Sequence, residues 1–591
     1  MKQFFKFMFA SMLGTVLTLV IVFFIIMGMI TAFISMADQQ TVMVDQNTVL
    51  KITLDQPIPE RTPKSPFGNY DMASQEFKKP VGLNDILANI EKATRDEKIK
   101  GIFMNPSMIP AGIATIREIR DALQEFKNSG KWIIAYSDAY SQSAYYLATV
   151  ADQIYLHPQG FIDFRGMHIE SMFLKGTLEK IDVEPQLIRH GKFKGAGEIF
   201  TREDYSAENR EQLDRIISTI WNDMLPAFSE ARGISIEDLN KAADELSVFF
   251  NPKSALEMKF VDKLVYMDEV LADMRTRLGI AEDEDINSLS LSKYTHAPQP
   301  EKAEFTRDKV AVIYAVGTIA QGEGGEENIG SASLSKAIRK ARLDDNIKAI
   351  VMRVNSPGGD GVASDVIWRE VKLAKETKPF VVSMGDVAAS GGYWISCAAD
   401  KILADPSTIT GSIGVFALIP NMQGMFNEKL GMTFDHVKTN ANADFPSVTK
   451  PLSSFQRAKM ENEIDRFYQV FLERVSSGRN MSIEKVDEIG QGRVWSGIDA
   501  LEIGLIDEFG GLQEAVDLAA SMAGLTNYKI KNLPELKDPL EQLLKEMTGG
   551  AAVQKQIKEE LGEFYNYYEY VKYLSEHQGV QARLPFEFRM N

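Results

Sequence analysis

The chain has one cysteine, Cys397, in 591 residues, so an intrachain disulfide is impossible and a cysteine-rich metal site is excluded. That thiol follows Ser390 by seven residues on an apolar helix face and reads as buried and inert. Histidine is scarce too, with six: His157, His168, His190, His296, His436 and His577. Basic clusters are missing, and the net charge of −17 argues against wrapping nucleic acid, which needs grouped Lys and Arg. Nothing in the motifs asks for a cofactor or a metal. Long apolar runs are also missing, with one exception near the N-terminus.

That exception runs from Phe7 to Ala37 without a charged residue. About 20 apolar residues span a hydrocarbon core, and the stretch exceeds the apolar region of a cleavable signal peptide. Lys2 and Lys6 precede it, and Asp38 and Asp45 follow. The positive-inside rule then puts the N-terminus in the cytoplasm and the rest of the chain outside, on a single anchor in contact with membrane lipid.

With 45% hydrophobic and 25% charged residues the remainder is ordinary globular protein. It is too long for a single core. An internal repeat explains the length. Asp96-Glu97-Lys98-Ile99-Lys100-Gly101-Ile102-Phe103-Met104 is similar to Asp344-Asp345-Asn346-Ile347-Lys348-Ala349-Ile350-Val351-Met352, an offset of 248 (344 − 96). Tyr145-Tyr146-Leu147 against Tyr393-Trp394-Ile395 repeats that offset (393 − 145), as does Asp152-Gln153-Ile154 against Asp400-Lys401-Ile402 (400 − 152). In each copy short apolar strands (Gly101–Met104, Trp132–Tyr136, Gln153–Leu156; Ala349–Val354, Phe380–Met384, Lys401–Leu403) alternate with helical stretches (Ala114–Lys127, Ser143–Val150; Ala363–Lys375, Gly391–Ala399). That order indicates βαβ units, an α/β fold and a mostly parallel sheet. The expected organisation is an anchor at 1–45, a first repeat at 46–280, a polar linker at 281–305, a second repeat at 306–530 and a helical extension at 531–591. Within the extension, Glu535–Met547 reads as an amphipathic helix. The aromatic Phe564–Tyr573 and the tail to Asn591 have no counterpart in the first copy, and fit a subunit contact, a neighbouring site or a plain cap.

Ligands of parallel α/β sheets gather at the carboxyl ends of the strands. Two loops of the second repeat fall there: Val354-Asn355-Ser356-Pro357-Gly358-Gly359-Asp360-Gly361 and Asp386-Val387-Ala388-Ala389-Ser390-Gly391-Gly392. A serine at a strand-to-helix turn projects its hydroxyl into a cleft. The glycine after it offers an N–H at a helix N-terminus, where an oxyanion is stabilised. Gly391 and Gly359 are therefore the candidate oxyanion donors. The first repeat has Gln142 where the second has Ser390 (390 − 248), and Pro106–Ile113 lacks the Gly-Gly pair, so it carries no nucleophile of its own.

A serine nucleophile needs a base. No histidine has an evident tie to the Ser390 loop, although His190 and His436 fall near the region concerned. Lysine serves when burial lowers its pKa. His190-Gly191-Lys192-Phe193-Lys194-Gly195-Ala196-Gly197 follows a strand-like Pro185–Ile188, and Lys194 matches Asn442 in the second repeat (194 + 248). Small neighbours let Lys194 approach a crowded site; Lys192 is an equal rival on composition alone.

At these residues the chain resembles the signal peptide peptidase SppA family, in its long, two-repeat, membrane-anchored form, within the ClpP/crotonase superfamily. The motifs that carry the likeness are Asn355-Ser356-Pro357-Gly358-Gly359, Ala389-Ser390-Gly391-Gly392, Thr410-Gly411-Ser412-Ile413-Gly414-Val415 and Gly191-Lys192-Phe193-Lys194. The resemblance implies a serine endopeptidase with Ser390 as nucleophile, Lys194 as general base and Ser412 hydrogen-bonded to the lysine. It implies hydrophobic peptide substrates, the signal peptides left in the membrane after export. It also implies a homo-oligomeric ring, with four copies as the expectation, on the extracytoplasmic side of a bacterial inner membrane. Asp360-Gly361 differs slightly from the family's Ser- or Val-rich loop. Two rivals remain: an acyl-CoA enzyme of the same superfamily, which needs no Ser-Gly-Gly, and an inactive membrane scaffold of the same fold.

Overall fold

The apolar runs that recur along the sequence form the central strands of two parallel sheets in a computed structural model of the chain. The structure describes residues 3–4, 6–19, 21–22, 42–64, 69–71, 76–78, 80–300, 305–325, 328–536 and 580–583. The first sheet runs in the order Lys263–Leu264, Gln153–Ile162, Trp132–Tyr140, Ile99–Met104, Thr48–Ile52, Ser288–Ser290, every pair parallel. The second runs Val494–Ser496, Ile409–Gly411, Phe380–Ala389, Ile347–Ser356, Lys309–Val316, Lys529–Leu533, parallel except at its Val494–Ser496 edge. The three strands that define the repeat keep the 248-residue offset (347 − 99, 380 − 132 and 401 − 153).

Helices cover these sheets because their apolar residues recur at helical spacing. Ile113–Asn128 buries Ile113, Ile116, Ile119, Leu123 and Phe126 on one side. Its counterpart Gly361–Lys375 buries Ile367, Trp368, Val371 and Ala374. Each large aliphatic or aromatic side chain so buried is worth roughly 1.5–3 kcal/mol. Strands of both sheets are buried on both faces, which is why they read as continuous apolar runs.

Part of the polar stretch expected as a linker is built into the first repeat. Ser288–Ser290 pairs with Thr48–Ile52, and the turn Leu291–Tyr294 buries Leu291 and Tyr294. The Tyr294 hydroxyl donates to Asp96 at 3.0 Å, and Lys92 donates to the Tyr294 carbonyl. Average polarity concealed three well-spaced apolar residues, Leu289, Leu291 and Tyr294. The expected membrane segment is described only at its start. Residues 6–19 are helical, and residues 23–37 lie outside the described residues. No helix among the described residues is long and apolar enough to cross a membrane. The expected helix at Glu535–Met547 lies outside the described residues from 537 on, and Phe564–Tyr573 does so entirely.

A buried ionic cluster joins the repeats. Arg353, fully buried on a central strand of the second sheet, donates to Glu60 at 2.9 Å and to Glu118 at 2.5 Å, both from the first repeat. Nearby, Asp386 accepts from the Thr115 N–H and hydroxyl at 3.1 and 2.7 Å.

A third sheet crosses the boundary as well. Its order is Asn328–Gly330, Thr318–Ala320, Gly358–Asp360, Gln581–Arg583, Val415–Asn421, Glu184–His190. The last strand belongs to the first repeat. It pairs antiparallel with Val415–Asn421 along its full length, from Asn421 opposite Glu184 to Val415 opposite His190. The chain leaves that strand at His190, four residues before Lys194.

Candidate active site

Ser390 closes the strand Phe380–Ala389 and opens the helix Gly391–Ser396. Its backbone, at φ 56° and ψ −114°, lies in a region L residues seldom adopt. The corresponding turn of the first repeat has Ser141 at φ −65°, and there the hydroxyl caps its helix by accepting from the Ala144 N–H. Ser390 makes no such cap. The positive φ turns its side chain away from the helix end and frees Oγ for another partner, at a cost in strain.

That partner is Lys194. Its Nζ lies 2.8 Å from Ser390 Oγ, 3.0 Å from Ser412 Oγ and 3.3 Å from the Ser412 carbonyl oxygen. All three residues are fully buried. The hydrogen-bond partners of the amine include no carboxylate, and burial drives its pKa well below the ordinary lysine value of 10.5. The contact forms within one chain, between residues 196 apart.

The lysine is delivered by a turn fastened from several sides. The Phe193 N–H donates to the Gln491 carbonyl at 2.9 Å. Arg189 donates to the Lys194 carbonyl at 2.7 Å and pairs with Glu198 at 3.1 Å. Glu198 in turn accepts from Ser206 and Asn209. Gln212 donates to the Phe193 carbonyl and accepts from the Val494 N–H, tying the turn to the second sheet. Gly492, at φ 76°, lies against the lysine itself, and a Cβ there would come within 2.6 Å of Lys194 Cβ. The segment Gln491-Gly492-Arg493 had no part in the sequence reading. The one trace it leaves in sequence is a glycine shortly before a strand.

Ser412 is held at φ 50°, with its N–H donating to the Arg493 carbonyl at 2.7 Å and its hydroxyl against the lysine. Gly391 begins the Ser390 helix. A Cβ on Gly358 would stand 2.6 Å from the Gly391 nitrogen, so the two loops touch through backbone alone. Gly359, the other donor candidate, faces Ala582 across the third sheet. The rivals to Lys194 lie elsewhere. Lys192 is exposed, over the Phe193 ring. His190 stacks on Tyr468 and bonds Asp465 at 2.7 Å. Asn442, the repeat counterpart of Lys194, is exposed and accepts from Gln456. Gln142, the counterpart of Ser390, braces the Arg165-Gly166 backbone. Cys397 is buried, its thiol pushed up to about 12 by burial.

An amine against a serine hydroxyl, its charged form disfavoured by burial, is equipped to take that hydroxyl's proton. Among the described residues no group of three or more His, Cys, Asp or Glu could hold a metal ion.

The sequence matches Peptidase family S49 twice, over residues 125–281 and 372–526, two segments that begin 247 residues apart (372 − 125). The chain is similar to Protease 4 of Haemophilus influenzae, 36% identical over 76% of this chain and 75% of that protein. Protease 4 of Salmonella typhi is 37% identical over 81% of this chain and 78% of its own length. The chloroplastic serine protease SPPA of Arabidopsis thaliana is 33% identical over 80% of this chain and 70% of its own. The resemblance read from the Ser-Gly-Gly and lysine motifs holds across both repeats: the chain belongs to peptidase family S49 and is a serine protease.

Proposed function

We propose that the chain is a Ser/Lys endopeptidase of hydrophobic peptides, with two crotonase-like repeats behind a membrane anchor. The observation that carries this reading is the fully buried Lys194 amine, 2.8 Å from the Ser390 hydroxyl and without a carboxylate partner. Neutral Lys194 takes the Ser390 proton as Oγ attacks a peptide carbonyl carbon. The negative charge on the carbonyl oxygen is met by backbone N–H groups of Gly391 and Gly359. Lys194 then passes its proton to the leaving amine, and the acyl group stays on Ser390. Water, deprotonated by the same amine, releases the acyl group and restores the serine. Ser412, 3.0 Å from Nζ, orients the lone pair of the amine.

The proposed substrates are signal-peptide remnants. The apolar, uncharged stretch 7–37 would hold the enzyme in the inner membrane where such peptides remain, with the repeats on the extracytoplasmic side. A homo-oligomeric ring with inward-facing sites would exclude folded proteins. An acyl-CoA enzyme or an inactive scaffold has no use for a desolvated lysine on a serine hydroxyl.

The test is hydrolysis of an apolar fluorogenic peptide by the detergent-solubilised full chain. Ser390→Ala brings it to background, and Lys194→Ala lowers kcat by about 10²–10⁴-fold. Only the neutral amine is a base, so kcat/KM rises with pH through the depressed lysine pKa and levels off well below 10.5. Full activity of Lys194→Ala would remove the dyad from consideration.

A further inference from the structure

The strands Ile347–Ser356 and Phe380–Ala389 carry the two loops of the site, and their register slips just before it. Val354 stands opposite Met384, yet Ser356 stands opposite Ala388. Asn355 therefore faces a bulge of three residues, Gly385, Asp386 and Val387. A bulge takes backbone groups out of the ladder, and buried ones need other partners. Side chains supply them. Thr408 donates its hydroxyl to the Gly385 carbonyl at 2.8 Å, and Asn355 Oδ1 accepts from the Val387 N–H at 3.2 Å.

The Asn355 amide is held in turn by a residue of the first repeat. Its Nδ2 donates to Glu60 Oε1 at 2.9 Å, while the other Glu60 oxygen accepts from Arg353. Glu60 is buried, and the Asn84 N–H donates to its backbone carbonyl at 3.3 Å, which fixes it to the first repeat. Its carboxylate enters the second sheet over Gly385, where a Cβ would stand 2.8 Å from Oε1. A carboxylate accepts and does not donate, so the amide NH2 must face Glu60 and the amide oxygen must face Val387. The copy that lacks a nucleophile closes the same turn differently. Ser107, Ser137 and Ala139 match Asn355, Gly385 and Val387 at the repeat offset of 248 (355 − 107, 385 − 137, 387 − 139). There the Ser137 hydroxyl accepts from the Ala139 N–H at 3.2 Å and donates to the Ala139 carbonyl at 2.7 Å, a local closure.

The bulge stands at the root of both loops. Ser390 comes three residues after Val387 (390 − 387), and Gly358 three after Asn355 (358 − 355). Between them the Ser356 hydroxyl donates to the Gly317 carbonyl at 2.6 Å and accepts from the Gly358 N–H at 3.2 Å. We infer that Glu60 is a positioning residue for the Ser390 site. By fixing the Asn355 amide it sets the register at which the serine turn meets the Gly358-Gly359 loop. The first repeat thus acts on the serine side of the site besides supplying the lysine. The inference rests on the Ser390/Lys194 reading for the reaction, and on these hydrogen bonds for the positioning.

The test exchanges donor and acceptor in the full, detergent-solubilised chain. In Glu60→Gln the side-chain oxygen stays with Arg353, so an NH2 meets the NH2 of Asn355. In Asn355→Asp a carboxylate meets the Glu60 carboxylate. Each single variant lowers kcat for the fluorogenic peptide about 100-fold and keeps KM within about twofold. The double variant Glu60→Gln/Asn355→Asp keeps the total charge and remakes the chain of bonds with its polarity reversed. The new amide donates to the new carboxylate, which still accepts from Val387. Its kcat returns to within about fivefold of the unsubstituted chain. Circular dichroism selects folded protein for the kinetics, and a merely structural contact would lower Tm while leaving kcat in place. Undiminished kcat in either folded single variant overturns the inference. So does a double variant that is unfolded, or no more active than the single ones. The double variant decides even where a single one fails to fold. A failure of the dyad reading is separately visible, as activity that survives in Ser390→Ala.

Discussion

At the scale of single residues, the site depends on one backbone angle and one buried amine. Ser141 and Ser390 open matching helices, yet Ser141 caps its helix while Ser390, at positive φ, leaves its hydroxyl to Lys194. The amine buries at a thermodynamic cost. Its pKa is depressed in the folded chain, so folding is opposed below the ordinary lysine pKa of 10.5, and increasingly so as pH falls toward the folded value. Lys194→Met removes that cost and keeps the volume. It is expected to abolish peptide hydrolysis and raise Tm by about 2–4 °C, the shift that ~1 kcal/mol produces in a large domain. Calorimetry at pH 7 checks it, and a lower Tm would mean the lysine packs better than its desolvation suggests. This much of the chemistry was legible as residue types: a serine in one repeat, a lysine in the other. The choice between Lys192 and Lys194 was not, because two residues along a turn separate an exposed side chain from one buried against Ser390.

Among elements, the decisive one is the strand Glu184–His190, which leaves the first repeat's sheet and pairs with Val415–Asn421 of the second. Its register sets where the chain turns, and the turn carries Lys194 inward past Gly492. Gly492→Ala is therefore expected to act on catalysis although it touches no substrate. The φ of 76° disfavours a side chain, and the new Cβ would meet Lys194 Cβ at 2.6 Å. Destabilisation of about 1–3 kcal/mol is expected from the strained backbone. A loss of kcat of about 100-fold is expected from a lysine displaced by the order of an ångström. Urea denaturation and steady-state kinetics separate the two, and an unchanged kcat would remove Gly492 from the positioning of the base. The central strands of each repeat were readable because apolar runs bounded by turns survive as strands wherever both faces are buried. The short strands were not. Ser288–Ser290, Gly358–Asp360 and Gln581–Arg583 have too few residues for any periodicity, and they exist through their partners.

For the molecule as a whole, the proposed Ser390/Lys194 dyad requires that the two repeats be held together where the strands end. Arg353 between Glu60 and Glu118 does this in a fully buried cluster. Burial, together with the nearby Glu60 charge, pushes the Glu118 carboxyl up to about 7 despite the guanidinium. Because that pKa is raised above the ordinary 4.5, its contribution to stability is complete below 4.5 and is lost as pH rises through about 7. Arg353→Met leaves both acids unpaired and should cost ~3–5 kcal/mol. The loss is expected to be larger at pH 8, where Glu118 must ionise, than at pH 6, where it holds its proton. Urea unfolding at the two pH values measures this, and equal losses would mean that Glu118 is not the titrating group. A charged residue inside an apolar strand was a visible oddity of the sequence, but its two partners lie 293 and 235 residues away in the chain. The sequence by itself determined the duplication, the α/β class and the difference in residue type between the copies at Ser390 and Lys194, because repeat spacing and apolar periodicity are local properties that a chain carries unfolded. Tertiary structure alone decided that Lys194 meets Ser390 within one chain, that Gly492 makes room for it, and that a strand near the C-terminus pairs with the Gly358–Asp360 loop. These are contacts between segments far apart in sequence, set by the register of short strands and by close packing, which no local pattern encodes.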